Sequence, residues 1–505
     1  MRTKKTFINL IVSVLLTIGV AIIGLFKVKV FLTYLGDETV GLYQLYTQFF
    51  SYISIVESGL TSSLLYYLYK PVSEKNYSKI NSLLKGGRKF YNFVVFLMII
   101  IGIVLSFNID FFLSNDVVTN FSYIQFCFII FLISSSLNYL VTARKVIIEA
   151  KQNLYKVHIC IYGLMIFKGI AEIVVVLFGF NLFELMLVSL IISIVQNVII
   201  YIISNKEYPQ LSYDVQEDMS FVKETKNLFV QKIGNLLFNN IDIILISKFI
   251  STSSVVIYTS YNYIINSLQT TIKKIGSSSL ASVGNLLVTE STKVKKVFSE
   301  YNSLCFYIGI VICIPLSLVI DDFIKLFYGA EYVLSGLGGL LFSVLLFLRV
   351  IEIPLDVWTS TLGYFGKIKN CILFQSIINL ILSLVLIFVF GVPGVVFATI
   401  ISYLVGEFIM YPKILNKNYF KDDKINYYRQ SFKLLIIGIF NFLILNIISN
   451  RLIPISLFEW LMYSVLYFLI NFVITTIYFK LIGQLDFFER IKVIFKGRLV
   501  KNEKK

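Results

Sequence analysis

Long apolar stretches recur along the whole chain and are separated by short polar connections. A helix of about 20 apolar residues spans the roughly 30 Å of bilayer hydrocarbon, since each residue adds about 1.5 Å. The pattern therefore predicts an all-α polytopic membrane protein. It indicates fourteen membrane-spanning helices, at 7–33, 40–68, 90–113, 120–143, 157–178, 182–204, 226–249, 254–283, 297–320, 335–360, 369–390, 394–412, 432–450 and 457–480.

Basic residues are concentrated in every second connection. The chain has 45 Lys and Arg against 29 Asp and Glu, and 33 of the basic residues lie in the N-terminus, six alternate connections and the tail. The opposite connections contain only Lys325 and Arg451. Because cytoplasmic loops are enriched in Lys and Arg, this alternation predicts that both termini are cytoplasmic. Most of the net charge of +16 therefore reflects membrane topology.

The composition argues against a soluble protein and against most catalytic classes. Charged residues make up only 15% of the chain, against about 25% in a typical soluble domain. His158 is the single histidine, and the five cysteines lie in apolar runs without C-x-x-C spacing, so we expect no metal site and no cofactor. The chain has no phosphate-binding G-x-x-x-x-G-K-[ST] loop, and no external connection is long enough for a catalytic domain. We therefore expect no catalytic residues and a protein that is not an enzyme.

A weak repeat relates the two halves of the chain. Leu105–Phe112 reappears as Leu316–Phe323, 211 residues later, which is an offset of six predicted helices. An even offset preserves helix orientation and predicts two pseudo-symmetric six-helix lobes, followed by two additional helices. The predicted domains are an N-lobe at 1–204, a cytoplasmic linker at 205–225, a C-lobe at 226–412, the extra helices at 413–480 and a basic cytoplasmic tail at 481–505.

Polar side chains share one face on four predicted helices that the repeat makes equivalent in pairs. Polar groups at membrane depth face protein or water, so these faces predict a polar cavity between the lobes. Hydroxyls and amides match sugar hydroxyls, and ammonium groups balance phosphate. The alternative is that these side chains only join neighbouring helices. The cavity candidates are Lys27, Tyr43, Thr47, Ser51, Asn235, Asn239, Asp242, Tyr258, Asn262, Asn266, Gln269 and Lys273.

Several charged residues at membrane depth have other interpretations. An alternative to a cavity position for Lys27 and Lys273 is that their side chains extend along the helix and place the ammonium group at the membrane surface. Glu57 and Lys274 occupy equivalent places in the repeat, which makes them candidates for a gate that pairs across the lobes; the alternative for Lys274, as for Lys29, is snorkelling to the membrane surface. Two close spacings, Lys168 with Glu172 and Arg349 with Glu352, predict ion pairs within a helix rather than proton relays. The candidates for a gate or for ion coupling are Glu57, Lys274, Lys168 and Glu172, with Asp242 as a further candidate for coupling.

Four segments resemble a known family: YLGDETVGLY at 34–43, VESGL at 56–60, FNNIDIILIS at 238–247 and IYTSYNY at 257–263. They are similar to the Wzx-type polysaccharide-export flippases of bacterial capsule, exopolysaccharide and O-antigen pathways. The resemblance covers residues 1–480 in the right order. It implies the fold of the multidrug/oligosaccharidyl-lipid/polysaccharide (MOP) exporters, including MATE transporters, with two lobes and alternating access.

The resemblance also implies a substrate and a location. The substrate is an undecaprenyl-pyrophosphate-linked oligosaccharide, moved from the cytoplasmic to the outer leaflet of the bacterial cell membrane. A polysaccharide polymerase of the same pathway is the candidate partner, and no nucleic acid is expected. Family members often have arginines in the cavity, whereas this chain has Lys27 and Lys273. Two alternatives remain open. One is a drug or cation antiporter of the same superfamily. The other is a membrane-embedded polymerase or glycosyltransferase, but such an enzyme needs a long external loop, which this chain does not have.

Overall fold

The computed structural model describes residues 2–57, 60–113, 119–151, 154–222, 241–289, 291–334, 337–421, 425–449 and 452–486. All regular secondary structure within these ranges is helical. This includes residues 241–249, a helical segment that precedes α9 and has no label of its own. Two π-helical segments occur, Leu404–Met410 and Asn416–Phe420. The α-helices are α1 (Arg2–Leu35), α2 (Asp37–Ile53), α3 (Leu60–Glu74), α4 (Tyr77–Ser106), α5 (Phe121–Leu137), α6 (Thr142–Ala150), α7 (Leu154–Leu177), α8 (Leu182–Glu207), α9 (Thr252–Thr289), α10 (Val294–Phe327), α11 (Gly338–Ile351), α12 (Ile353–Thr361), α13 (Phe365–Phe390), α14 (Val392–Tyr403), α15 (Tyr411–Leu415), α16 (Ile425–Ser449) and α17 (Leu457–Leu481).

The predicted all-α membrane fold is confirmed, but the predicted number of fourteen spans is not. Ten helical stretches in the described part of the chain are long and apolar enough to cross a membrane. Each of the fourteen predicted stretches overlaps helix, and several of them are broken. The stretch 40–68, for example, is divided into α2 and α3 by a 3₁₀ turn at Ser54–Glu57.

Two further breaks have clear chemical causes. Between α5 and α6, the side chain of Asn138 donates to the carbonyl oxygens of Ser134 and Ser135, and such local hydrogen bonds compete with the helix. Between α11 and α12, Pro354 has no N–H to donate and its ring disfavours a continuous helix. The second break leaves Glu352 at the junction of two helices.

The chain divides into two compact units, Met1–Val256 and Ile257–Lys505. In the first unit α1 packs along α7, α5 packs along α8, and α3 packs on α6. In the second unit α10 packs on α11 and α17, and α13 packs on α14. The predicted domain boundaries at 204, 225 and 412 stay predictions.

Residues 205–222, most of the predicted linker, fold back on α4 within the first unit. Lys79 Nζ lies 2.5 Å from a carboxylate oxygen of Asp218, and Lys89 Nζ lies 2.6 Å from Glu217 Oε1. Burial raises the pKa of Asp218, but hydrogen bonds from Lys79 and Ser220 outweigh that effect, so the pKa lies below its ordinary value. The basic connections that the sequence assigns to one membrane side therefore meet at one end of this unit.

Close backbone approach at Gly41 joins α2 to the start of α9 within the first unit. A Cβ atom at this position would lie 2.2 Å from the carbonyl oxygen of Thr252. That oxygen belongs to the backbone, so it cannot move away as a flexible side chain would. Gly163, on α7, has open space around the same position.

We expect Gly41→Ala to destabilise the protein by about 1–3 kcal/mol, because the added methyl overpacks the contact with Thr252. The apparent Tm in detergent, measured by size-exclusion chromatography after heating, should fall by several degrees. The matched substitution Gly163→Ala should leave the Tm unchanged or raise it slightly, since a helical glycine is replaced without a clash. Equal effects of the two substitutions would contradict the close contact.

Candidate functional site

The first unit contains a lysine that is bound by a fully buried carboxylate. Lys27 Nζ on α1 lies 3.1 Å from Glu172 Oε2 on α7, and the Glu172 side chain has 0% exposure. Lys27 Nζ also donates to the hydroxyl of Tyr43 at 3.3 Å and lies 4.9 Å from the centre of that ring. The Lys27 side chain keeps 19% exposure. The long packing of α1 along α7 is what brings these two charges together.

Glu172 has two further polar neighbours. Lys168 Nζ, one turn earlier on α7, lies 3.6 Å from Glu172 Oε1, which is the contact that the sequence spacing predicts. Ser189 on α8 donates to the same oxygen at 3.2 Å. Two ammonium groups therefore share one carboxylate, and this group of side chains has one excess positive charge. We call Lys27, Tyr43, Lys168 and Glu172 the N cluster.

The remaining predicted residues of the first unit lie along α2 and near its end. Thr47 and Ser51 follow Tyr43 at intervals of four residues on α2, so they lie on the same side of that helix. Their hydroxyls donate to backbone oxygens one turn earlier, at 3.1 and 3.0 Å. Glu57 accepts hydrogen bonds from Thr61 and from Tyr91, both within the same unit. Asp242 is buried. Asn235 and Asn239 lie outside the described residues.

The second unit contains a larger cluster around α9, α11 and α12. Lys273 Nζ lies 2.9 Å from Glu352 Oε1, with side-chain exposures of 42% and 5%. Arg349 Nη1 donates to Asn266 Oδ1 at 2.7 Å and to Gln269 Oε1 at 3.0 Å. Three of the predicted polar positions on α9 are therefore held by charged side chains from α11 and from the junction that follows it.

Two more carboxyl groups belong to this cluster. Asp356 on α12 lies within electrostatic range of Glu352 and Lys273. Glu407, in the π-helical segment, is 7% exposed and lies within range of Glu352, Asp356 and Lys273. Its Oε2 atom has no hydrogen-bond partner among the described residues. We call Lys273, Arg349, Glu352, Asp356 and Glu407 the C cluster; it contains three carboxyl groups and two cations.

The other predicted residues have different surroundings. Tyr258 is buried against Phe342, with ring centroids 5.6 Å apart, so it packs in the core of its unit. Asn262 Oδ1 is buried and has no partner within the described ranges. No group of three His, Cys, Asp or Glu in the described chain has metal-binding geometry. The pairing of Glu57 with Lys274 across the lobes, and the cavity between the lobes, stay predictions.

The prediction of a local Arg349–Glu352 ion pair is wrong. Both side chains bond to α9 instead, Arg349 to Asn266 and Gln269 and Glu352 to Lys273. Asp356 and Glu407 were missed altogether. A search for every carboxyl group within a long apolar stretch would have found both, because such groups are costly in a membrane and rare.

Comparison with known proteins agrees with this architecture. Residues 86–335 match a family described as polysaccharide biosynthesis protein. No curated protein matches the chain by sequence. The structure is similar to that of the lipid II flippase MurJ in an inward closed conformation, with a TM-score of 0.69 and 16% identity, covering 93% of this chain and 99% of that one.

Other transporters share the fold. An inward-facing MATE multidrug transporter of the MOP superfamily has a TM-score of 0.63 at 13% identity, covering 81% of this chain and 99% of its own. A MOP transporter from Pyrococcus furiosus has a TM-score of 0.53 at 12% identity, covering 81% of this chain and 94% of its own. The predicted resemblance is thus confirmed: the chain is a multi-pass membrane protein whose fold is similar to that of MurJ and of MOP-superfamily transporters, and its residues 86–335 match the family of polysaccharide biosynthesis proteins.

Proposed function

We propose that this protein is a flippase for a lipid-linked oligosaccharide, which it moves from the cytoplasmic to the outer leaflet of the bacterial cell membrane by alternating access. The family match and the fold support a lipid-linked flippase or transporter. The finer parts of the proposal are the undecaprenyl-pyrophosphate carrier, the surface-polymer pathway and the cytoplasmic placement of both termini. The family and the structural neighbours are transporters, so the proposal includes no catalytic step.

The observation that carries the proposal is that each unit has a partly exposed lysine, within a stretch that the sequence predicts to span the membrane, held by a buried carboxylate. Lys27 is paired with Glu172, and Lys273 is paired with Glu352. A sugar-pyrophosphate headgroup cannot cross hydrocarbon unaided, because each unsatisfied polar group costs several kcal/mol. Ammonium groups that retain some exposure are available to such an anion, and nearby amides and hydroxyls suit its sugars.

The source of energy for transport is inferred from the sequence motifs and from the charge of the proposed substrate. The chain has no ATP-binding loop, so transport depends on gradients or on consumption of the product. An outside-positive potential favours outward movement of an anion by about 2.3 kcal/mol per charge per 100 mV. A pyrophosphate carries more than one negative charge, so this drive is substantial without any coupled ion.

Lys27→Ala and Lys273→Ala should each reduce transport at least about tenfold, since a charge-assisted contact contributes about 1.5–3 kcal/mol. The measurement is the leaflet distribution of lipid-linked oligosaccharide in a deletion strain that expresses each variant. Oligosaccharide should accumulate on the inner leaflet. Lys29→Ala is the control, because Lys29 lies on another face of α1, and its transport should be close to that of the wild-type protein.

Protein level and apparent Tm accompany each assay, so that loss of transport is separated from loss of fold. Lys273→Arg, which retains the charge, should keep more transport than Lys273→Ala. Normal transport by both alanine variants, or a larger defect in Lys29→Ala, would contradict the assignment of the lysines.

A drug or cation antiporter remains a second candidate because the C cluster has more carboxyl groups than cations. A cationic drug binds best beside several carboxyl groups, and Asp356 and Glu407 lie within electrostatic range of Glu352. The two functions are separated by assaying the purified protein in liposomes for both substrates. Movement of a lipid-linked oligosaccharide without efflux of cationic dyes supports the flippase, and the opposite result supports the antiporter.

The two carboxyl groups Glu407 and Glu352 should respond differently to the same isosteric change. Glu407→Gln should fold normally, since Glu407 Oε2 has no hydrogen-bond partner among the described residues and the amide keeps the size and shape of the carboxyl group. Glu352→Gln should lower stability by about 3–5 kcal/mol, since it leaves Lys273 without its buried partner. Thermal denaturation of the two variants in parallel measures the difference, and similar Tm values would contradict this account of the C cluster.

A further inference from the structure

A polar cavity lies away from both clusters, where the ends of α3, α4, α6 and α8 meet in the first unit. Its volume is about 630 Å³, and its lining includes two lysines, three tyrosines and a serine: Tyr69, Ser73, Lys75, Tyr77, Lys151 and Tyr208. It lies at the end of the unit where the basic connections meet. The proposed transport function does not use this cavity.

Lys75 occupies a backbone conformation that normally selects glycine. Its φ angle is +55°, directly after the last residue of α3. The N–H of Asn76 donates to the carbonyl oxygen of Pro71 at 3.0 Å, and the N–H of Lys75 donates to that of Val72 at 3.4 Å. These bonds form a Schellman-type helix end, in which glycine is the usual residue. A lysine here is conformationally unfavourable, so its side chain is a candidate for a functional role.

The Lys75 ammonium has no hydrogen bond or ion pair within the described residues, and its side chain is exposed beside the cavity. Lys151 lies across the cavity lining and donates to the carbonyl oxygen of Glu207 at 2.6 Å. The carboxylate of Glu207 is itself bound by Lys156. Burial lowers the pKa of Lys151 and Glu207 offsets only part of that effect, so an added anion would stabilise the charged lysine.

Tyr208 provides a buried donor at the same place. It is 1% exposed, and its hydroxyl has no hydrogen-bond partner among the residues described. Burial, with a smaller effect of Tyr77, raises the pKa of Tyr208 to about 12, so the hydroxyl keeps its proton at neutral pH. The Tyr77 ring lies 6.2 Å from the Tyr208 ring, and the Lys151 ammonium lies 4.8 Å from the centre of the Tyr208 ring.

We propose that this cavity binds a phosphate ester. Two ammonium groups supply the charge, hydroxyls of serine and tyrosine supply donors, and the tyrosine rings supply flat surfaces for the organic part of the ligand. The single carboxylate in the lining is already paired with Lys156, so it does not cancel the positive charge. Basic pockets at the cytoplasmic ends of membrane helices bind anionic headgroups, which makes a lipid one source of this chemistry and a soluble phosphate ester the other.

The test uses the full-length protein in nanodiscs and the variant Lys75→Gly. Glycine suits the φ angle of +55°, so this change should raise the apparent Tm while it removes the charge. Native mass spectrometry counts phosphatidylglycerol bound after release from nanodiscs that contain this lipid in phosphatidylcholine. We expect Lys75→Gly and Lys151→Gln each to weaken binding about fivefold. Lys70→Gln is the matched control, since Lys70 is 83% exposed, pairs with Glu74 and does not line the cavity.

A parallel arm uses pure phosphatidylcholine nanodiscs with glycerol 1-phosphate, followed by ³¹P NMR line broadening. If phosphatidylglycerol binds in a way that depends on Lys75 and Lys151, the cavity is a lipid headgroup site. If only glycerol 1-phosphate binds, the ligand is a soluble phosphate ester. Either result supports the phosphate site. Equal loss in Lys70→Gln and Lys75→Gly would overturn it, because the lipid would then respond to diffuse surface charge. Absence of binding in both arms would also overturn it.

Discussion

The cost of holding a charge inside a membrane governs how the charged side chains of the two clusters are placed. A carboxylate or ammonium at that depth is tolerated when another charge or several hydrogen bonds compensate it, and removal of one partner costs about 3–5 kcal/mol. Glu172 shows the constraint most clearly, since it has no exposure and is contacted by Lys27, Lys168 and Ser189. Three helices, α1, α7 and α8, are thereby fixed around one side chain. The charged residues therefore specify helix neighbours as well as a chemical surface.

The sequence predicts which residues share a face of a helix, but it does not predict which helices pack against each other. The periodicity of α2 places Tyr43, Thr47 and Ser51 on one face, and the structure has them there. The proximity of Lys27 to Tyr43 is also consistent with the predicted stripes. The contact with Glu172 could not be predicted, because it depends on the packing of α1 along α7, over a separation of 145 residues. Local spacing indicated only the partner on the same helix, Lys168.

The second unit shows how partners on a neighbouring helix override a spacing argument. Arg349 and Glu352 are three residues apart, a spacing that favours a pair on one helix. Their side chains bond instead to different residues of α9. The placement of Glu407 does not follow from a regular period either, because it lies in a π-helical segment; such segments often occur at functional sites. The number of fourteen spans stays a prediction, since broken helices in the described part of the chain are shorter than the apolar stretches that contain them.

The partners of the two lysines also determine how readily each could exchange a carboxylate for a phosphate. Lys27 has 19% exposure and is held by a carboxylate, a tyrosine hydroxyl and two aromatic rings. Lys273 has 42% exposure, and its direct ionic contact is with Glu352. An arriving phosphate could therefore replace Glu352 more easily than Glu172. The displaced Glu352 would then compete with the phosphate for Lys273, since its carboxylate is buried beside Asp356 and Glu407. Transport requires binding that is favourable enough for entry and weak enough for release, and a competing carboxylate would supply the second condition.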